Sequence, residues 1–280
     1  MSASSQQAAN TGLRVAILGT GKMGGILLEA FLRSGLFNSD QVTATVAHEA
    51  RATALASRLG IRATTNNLEA AREADVILIG VKPAQVADLV REISPVLSDK
   101  KLLISFAASV GTRAIEEAAL PASLSVIRAM PNTPSAVGAG MTALCRGRNA
   151  TLEQLDLAQR IFATVGRAVV VDEKHMDAVT GLSGSGPAFI YIILEALAEA
   201  GVNVGLPRDI ATQLAAQTAY GAAKMVLETG SHPALLKDEV TTPAGCTVDG
   251  ILELEEGGVR VTLIKAVKRA TERARQLAGN

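Results

Sequence analysis

The sequence is poor in aromatic residues: among its 280 residues there are five phenylalanines, two tyrosines and no tryptophan. Proteins that bind single-stranded nucleic acid stack its bases on aromatic side chains, so this composition argues against that class of function. Hydrophobic residues nevertheless make up 48% of the chain. The core must therefore be built from alanine, valine, leucine and isoleucine, which suits close packing of helices and strands.

The sequence also has no net charge and only two cysteines. Lysine plus arginine number 27 and aspartate plus glutamate also number 27, so no net field would attract nucleic acid or a membrane surface. The two cysteines, Cys145 and Cys246, stand in neither a C-x-x-C nor a metal-binding spacing. We therefore expect free thiols, a cytoplasmic location and no metal site.

We expect no targeting segment either. The first residues, "MSASSQQAANTG", are small and polar, without a basic region or an apolar run, so we expect a disordered tail over 1–12 and no signal peptide. No uninterrupted apolar span reaches about 18 to 20 residues, so we do not expect a transmembrane helix.

Residues 13–172 alternate short β-branched runs with helical stretches. Runs that are apolar throughout, spaced by amphipathic helices, predict a doubly wound, mostly parallel sheet of the Rossmann type. The predicted strands are "RVAILG" (14–19), "VTATVA" (42–47), "ADVILIG" (74–80), "KLLISFA" (101–107), "LSVIRAM" (124–130), and two further runs, "MTALCRG" and "AVVVDE".

Residues 173–280 predict an all-helical domain. "GPAFIYIILEALAEAGVNVG" has Pro187 in its first turn, and its only charges are Glu195 and Glu199. A helix that is apolar almost all round is buried on several sides, and Tyr191 is interpreted as a core residue. We expect this domain to form a homodimer, with a further assembly of dimers as an option and a monomeric bundle as the alternative.

A glycine fingerprint follows the first predicted strand. In "RVAILGTGKMG", Gly19, Gly21 and Gly24 form G-x-G-x-x-G between a strand and a helix, an arrangement typical of dinucleotide binding. Thr20, Lys22 and Met23 complete the predicted phosphate turn. The alternative is a glycine-rich turn without a ligand.

The end of the second strand favours NADPH over NADH. Where NAD-binding proteins usually have an acidic residue, this chain has Ala47, while His48 and Arg51 could meet a 2′-phosphate. Glu49 lies between them and leaves NADH possible. His48 could equally be an exposed loop histidine.

Three loops follow the carboxyl ends of later strands, where open α/β sheets bind ligands. The predicted contacts there are Val81, Lys82, Pro83, Ala107, Ala108, Met130 and Asn132. Prolines stiffen these loops. The alternative is that all three are ordinary βα turns, but "MPNTP" contains two prolines where an ordinary turn needs only one.

Seven motifs now make a family resemblance plain. They are "GTGKMG", "VKP", "RAMPNTP", "GLSGSGPAF", "AGVNVGLPR", "HPALLKDEV" and "TTPAGCT". In this order, from residue 13 to about residue 277, the chain resembles the pyrroline-5-carboxylate reductase family. The resemblance implies a nucleotide-binding domain followed by a helical dimerisation domain. It also implies reduction of the C=N bond of 1-pyrroline-5-carboxylate to L-proline, the last step of proline biosynthesis, with NADPH or NADH.

The substrate is a small cyclic imine with a carboxylate. Backbone N–H groups at a helix start bind an anion without a counter-cation, so Gly245, Cys246 and Thr247, ahead of a helix expected from Val248, are predicted to hold that carboxylate. The Thr247 hydroxyl is the predicted catalytic contact, and the resemblance points to the same residue. The alternative is that Thr247 caps the helix.

"GLSGSGPAF" is predicted to form the opposite wall through Ser183 and Ser185. By resemblance, Lys82, Pro83, Ala108 and Asn67 line the cofactor, although Asn67 could equally be a helix N-cap. The chain departs from the family pattern at Ala244 and Ser109, where glycine is common, and at Cys246. Ala244 implies either a negative φ or accepted strain.

Two other functions fit a Rossmann domain joined to a helical domain. A 3-hydroxy-acid dehydrogenase, or another imine reductase, is the first alternative. Hydroxy-acid oxidation wants a lysine or histidine base, and the residues after "GSGP" supply none. The second alternative is a catalytically silent protein that binds NADP as a sensor or scaffold.

Overall fold

The computed structural model describes residues 12–278, which pack into two compact units. The first contains residues 12–184 together with 270–278, and the second contains residues 185–269. Apart from Gly12, the predicted tail lies outside the described residues. The boundary predicted after residue 172, between a dinucleotide-binding domain and a helical domain, stays a prediction.

The first unit is built on an eight-stranded sheet in the order β3-β2-β1-β4-β5-β6-β7-β8. Every neighbouring pair is parallel except β6 and β7, which are antiparallel, so the predicted mostly parallel sheet is confirmed. The strands are β1 (Val15–Leu18), β2 (Val42–Thr45), β3 (Arg62–Thr64), β4 (Val76–Ile79), β5 (Leu102–Ser105), β6 (Ser125–Met130), β7 (Gly140–Arg146) and β8 (Gly166–Val170).

Helices cover both faces of this sheet. They are α1 (Lys22–Arg33), α2 (Glu49–Leu59), α3 (Asn67–Glu73), α4 (Val86–Ile93), α5 (Thr112–Ala118), α6 (Leu152–Ala163) and α7 (Met176–Val179). Successive strand residues point to opposite faces. In β1, Val15 and Ile17 accordingly join one buried cluster, and Ala16 and Leu18 join another. This two-sided burial explains why the strand is apolar at every position.

The second unit consists of helices joined by short loops. Its helices are α8 (Gly186–Asn203), α9 (Arg208–Thr229), α10 (Pro233–Glu239), α11 (Cys246–Glu256) and the greater part of α12 (Val259–Ala278). Pro187 is the second residue of α8, within the first turn as predicted. Large apolar side chains of α8 are exposed in the single chain, and Tyr191 is 59% exposed, so its assignment to the core was wrong.

Helix α8 belongs to a helical stretch that is long and apolar enough to span a membrane. By length and composition alone, the helical stretch Glu173–Asn203 could cross a membrane, and little of its most apolar window is buried. The sequence expectation rested on uninterrupted apolar spans, and Glu195 and Glu199 interrupt this one. An apolar face of this kind is equally what a subunit interface presents.

Candidate active site

The glycine fingerprint forms a tight turn between β1 and α1. Gly19 has φ +84°, in the left-handed region, and a Cβ there would lie 2.5 Å from Val81 Cγ1. The Gly19 N–H donates to Thr45 Oγ1 (3.0 Å), which ties the turn to the end of β2. Helix α1 begins at Lys22, with Gly21 as N-cap. Only glycine fits this turn, which leaves an open cradle at a helix N-terminus.

A cavity of about 360 Å³ lies over this turn, at the carboxyl ends of β1, β2 and β4. Seven predicted cofactor residues line it: Gly19, Thr20, Gly21, Arg51, Asn67, Val81 and Lys82. It is lined further by Thr45, Val46, Ala47, Thr65, Gly80 and Gln85, which the sequence reasoning did not single out as ligands. Their common signal is position, because each lies at or just beyond the end of a strand or in the turn that follows.

The other predicted cofactor residues lie outside the lining of this cavity. Lys22, Met23 and Gly24 form the first turn of α1, and Pro83 follows Lys82. Ala107 and Ala108 follow β5, whereas Met130 ends β6 and Asn132 comes after it. Strands β5 and β6 follow β4 in the sheet and run parallel to it, so their carboxyl ends lie along the same edge as the cavity.

Charged side chains surround the end of β2. Arg51 Nη2 donates to the Thr20 carbonyl oxygen (2.8 Å), which holds the guanidinium beside the glycine turn. Glu49 accepts a hydrogen bond from the Thr65 hydroxyl. His48 is exposed, and as N-cap of α2 it makes no side-chain cap bond. Glu49 is thus engaged by Thr65, while the Arg51 guanidinium flanks the cavity.

The alternative role considered for Asn67 was wrong. The N-cap of α3 is Asn66, whose side chain accepts from the Glu69 N–H (3.0 Å). Asn67 is the first residue of the helix, and its Nδ2 lies 3.2 Å from Glu92 Oε2. Asn67 therefore lines the cavity without capping the helix.

Arg128 of β6 is the centre of a charge cluster that includes Glu173 and Asp177, from the segment after β8. The Arg128 guanidinium is buried, with Nη1 3.7 Å from Glu173 Oε1 and Nη2 3.8 Å from Asp177 Oδ1. Cys145, opposite Arg128 on β7, is buried too, and desolvation, with the charge of Glu173, raises the pKa of its thiol to about 12. Cys145 is therefore an inert core residue.

The predicted serine wall spans a change of helix type. Residues Thr180–Gly184 form a π-helical turn, and the Ser183 hydroxyl donates to the Val179 carbonyl oxygen (3.2 Å). Ser185 is the N-cap of α8. Ser183 belongs to the first unit, whose main stretch ends at residue 184, and Ser185 is the first residue of the second unit.

The "TTPAGCT" loop forms a β-turn followed directly by a helix. The Gly245 N–H donates to the Thr242 carbonyl oxygen (2.9 Å), with Pro243 second and Ala244 third in the turn. Ala244 has φ +58°, so the strained alternative holds. A Cβ on Gly245 would lie 2.4 Å from Thr242 Oγ1 and 3.1 Å from the Thr242 carbonyl oxygen, so a side chain there would displace the threonine.

Helix α11 begins at Cys246, two residues before the predicted start. Gly245 is its N-cap, so the alternative that Thr247 caps this helix was wrong. Thr247 is the second helical residue and is exposed. The first N–H groups of a helix have no partner within it. Since the Gly245 N–H is used by the turn, the amides left for an anion are those of Cys246 and Thr247.

Two family models match the chain. Residues 173–277 match a model described as pyrroline-5-carboxylate reductase dimerisation. Residues 14–109 match a model described as NADP oxidoreductase, coenzyme F420-dependent. The second match covers the glycine turn and the cavity.

Relatives match over almost the whole chain. A pyrroline-5-carboxylate reductase from Methanosarcina acetivorans is 43% identical over 94% of this chain and 97% of its own length. The structure of a pyrroline-5-carboxylate reductase from Coxiella burnetii superposes with a TM-score of 0.87 at 35% identity, covering 95% of this chain and 98% of that one. A Plasmodium falciparum pyrroline carboxylate reductase with NADP bound gives a TM-score of 0.86 at 29% identity, covering 96% and 99%.

Proposed function

Since this chain belongs to the pyrroline-5-carboxylate reductase family, we propose that its glycine-turn cavity and the start of α11 bind the two reactants of that family's reaction. The reaction is the reduction of 1-pyrroline-5-carboxylate to L-proline, the last step of proline biosynthesis, with NADPH or NADH. The hydroxy-acid dehydrogenase and silent-protein alternatives have no comparable support.

The observation that carries the proposal is the open cradle at the glycine turn. A side chain at Gly19 would collide with Val81, and the N-terminus of α1 favours the negative charge of a pyrophosphate. In this proposal Gly19, Thr20 and Gly21 hold the phosphates. Lys82 and Val81, on the turn after β4, line the next part of the dinucleotide. A bound NADPH supplies the hydride that reduces the imine carbon.

The substrate carboxylate is assigned to the start of α11. The N–H groups of Cys246 and Thr247, at the positive end of the helix dipole, donate to it, and the Thr247 hydroxyl donates to the carboxylate or the ring nitrogen. Ser183 and Ser185 are proposed as further hydroxyl contacts of the substrate. Positioning a cyclic imine in this way needs no titrating side chain, since its nitrogen takes a proton from solvent.

The test starts with the wild-type protein, NADPH and 1-pyrroline-5-carboxylate, with the loss of dihydronicotinamide absorbance as readout. We expect turnover, and its absence with both NADPH and NADH would remove the proposed activity. Thr247→Ala is expected to lower kcat/KM for the imine about 10- to 100-fold, because a hydrogen bond to a charged group is worth about 1.5–3 kcal/mol.

Two controls separate binding from folding in this prediction. Thr247→Ser retains a hydroxyl and should retain most of the activity. The NADPH dissociation constant of Thr247→Ala, measured by fluorescence titration, should stay close to that of the wild type. An equal loss of NADPH affinity and of kcat/KM would make Thr247 a structural residue.

The second unit is proposed to form a homodimer in the cytoplasm. Its helices expose large apolar side chains, and an apolar groove of about 630 Å³ lies between α9 and α10, lined by Met225, Val226 and Leu236 among others. A second copy of this chain is the proposed occupant, because the family model for this region is a dimerisation model. No nucleic acid, membrane or metal partner is proposed.

A further inference from the structure

The side chain of Asn132 links three segments of the first unit. Its Nδ2 donates to the Ser183 carbonyl oxygen (3.0 Å), and its Oδ1 accepts from the Met141 N–H at the start of β7 (2.9 Å). The residue is 9% exposed. Both ends of the carboxamide are engaged, so its orientation is fixed by a donor at one end and an acceptor at the other.

The segment that Asn132 reaches is an irregular helical turn. Between Thr180 and Gly184 the helix is π-type, and the Thr180 hydroxyl donates to the Met176 carbonyl oxygen (2.8 Å). Single π-turns are uncommon and concentrate at functional sites, where they reorient a backbone group. This turn carries Ser183 and is followed at once by Ser185, so its backbone sets where the proposed serine wall begins.

Strand β6, which ends two residues before Asn132, holds the beginning of the segment 173–184. Arg128, on β6, lies within 4 Å of carboxylate oxygens of Glu173 and Asp177. Glu173 also accepts two hydrogen bonds from Thr112, from its N–H and its hydroxyl, each 2.7 Å long. The segment 173–184 is therefore tied near its start through Arg128 and at its end through Asn132, both from the motif "RAMPN".

We propose that Asn132 is a positioning residue for the reduction, acting through the Ser183 turn. Its carboxamide sets the π-turn against β7 and thereby fixes the backbone of Ser183, one of the proposed substrate contacts. This inference rests on the proposed function and revises the predicted role of Asn132, because both ends of its amide are already held within the protein.

The hydrogen-bond pattern gives a sharp variant. Asn132→Asp keeps an oxygen for the Met141 N–H but turns the second oxygen, when ionised, against the Ser183 carbonyl oxygen. A carboxyl group shielded from water beside a carbonyl oxygen has a raised pKa, and when protonated it can donate to that oxygen again. The variant should therefore be defective at alkaline pH and recover as the pH falls.

The experiment measures kcat/KM for the imine and the NADPH dissociation constant from about pH 8.5 to about pH 5.5, each relative to the wild type at the same pH. We expect Asn132→Asp to lose about 100-fold in kcat/KM at the alkaline end, because a misplacement of about 1 Å costs that much, with NADPH affinity within about threefold. The deficit should shrink on acidification. Asn132→Ala, which removes both bonds without adding charge, should lose activity at every pH, and it replaces the aspartate variant if that one does not fold.

Asn149→Asp is the matched control. Asn149 Nδ2 also donates to a backbone carbonyl oxygen, that of Leu124 (3.4 Å), but just before the amino end of β6. Its kcat/KM should follow the wild type at all pH values. The proposal is overturned if the Asn132 variants keep wild-type kcat/KM, if they lose NADPH affinity in proportion, or if the aspartate deficit does not change with pH. An inactive wild type would instead count against the proposed function itself.

Discussion

Ser109 and Ala244 adopt a backbone conformation that usually belongs to glycine. Ser109, after β5, has φ +62°, and Ala244, before α11, has φ +58°. Left-handed backbone costs an L-residue about 1–2 kcal/mol. Ser109 is buried and its hydroxyl donates to the Ala274 carbonyl oxygen of α12 (2.9 Å), whereas Ala244 is exposed and its methyl group has no hydrogen bond to offer. Strain is thus offset by a hydrogen bond at one position only.

This difference predicts the effect of restoring glycine. Ser109→Gly relieves the strain but loses the bond, so the free energy of unfolding should change by less than about 1 kcal/mol. Ser109→Ala keeps the strain and loses the bond, and should be less stable than the wild type by about 1–2 kcal/mol. Denaturant unfolding at one fixed protein concentration measures both.

Ala244→Gly is the control for the strain alone. With no hydrogen bond to lose, it should raise the free energy of unfolding by about 0.5–1 kcal/mol, the relief of strain less the entropy of the added glycine. If Ser109→Ala proved more stable than Ser109→Gly, the strain at this position would be negligible and the hydrogen bond of Ser109 would have no strain to offset.

At the scale of elements, we expect the connection from β2 into α2 to determine which dinucleotide is favoured. Arg51, in the first turn of α2, is held beside the cavity by its hydrogen bond to Thr20, so a phosphate at the ribose would meet a guanidinium already in place. Glu49, which could hold a ribose 2′-hydroxyl instead, is engaged by Thr65. This pair of contacts favours NADPH over NADH.

Arg51→Met is expected to lower kcat/KM for NADPH at least tenfold and to change that for NADH little. A charged hydrogen bond is worth about 1.5–3 kcal/mol, and about 1.4 kcal/mol is a factor of ten. The measurement is the ratio of the two kcat/KM values. Arg58→Met removes the same charge from the same helix, where Arg58 pairs with Glu29 (2.7 Å), and should leave the ratio unchanged. A wild-type preference for NADH, or an equal loss with both cofactors, would contradict this assignment.

The same elements mark how far sequence patterns reach. Strands such as β1 and β4 are buried on both faces and apolar at every residue, so hydrophobicity alone predicts them. Strand β3 was missed because it has three residues, Arg62–Thr64, at the edge of the sheet, where none is fully buried. Thr65, which follows β3 and lines the cavity, was missed for the same reason.

The alternative cap at Asn67 placed the start of α3 one residue late, and the start of α11 was predicted two residues late. Errors of this size matter at a binding site. Both Asn66 and Asn67 can cap a helix, and only the backbone shows that Asn66 does so. With Gly245 as its N-cap, α11 begins earlier than the apolar pattern from Val248 indicates, since a glycine N-cap leaves no side-chain signal. Individual N–H groups therefore could not be assigned from the sequence.

At the scale of the whole molecule, the helical unit exposes many large apolar side chains in the single chain. In α8, Ile190, Tyr191 and Ile192 are each about half exposed or more, and Leu252 and Leu254 of α11 are exposed as well. The sequence predicted that such helices are buried, and in a single chain they are not. The two statements agree if a second copy covers these side chains, which is the usual arrangement when an apolar face exceeds a few hundred Å².

Ile192→Glu is expected to break the proposed dimer. Its side chain is 65% exposed in the single chain and would be buried unpaired in an apolar interface, at a cost of several kcal/mol, or about 100-fold or more in the dissociation constant. Light scattering after size exclusion should give the wild type twice the 28.9 kDa chain mass, or a multiple of that dimer, and the variant a shift toward one chain at micromolar concentration. Leu152→Glu introduces the same charge at a residue 66% exposed at the start of α6, and should leave the mass unchanged. A monomeric wild type would show instead that these apolar helices remain uncovered, and the interface assigned to the helical unit would be lost.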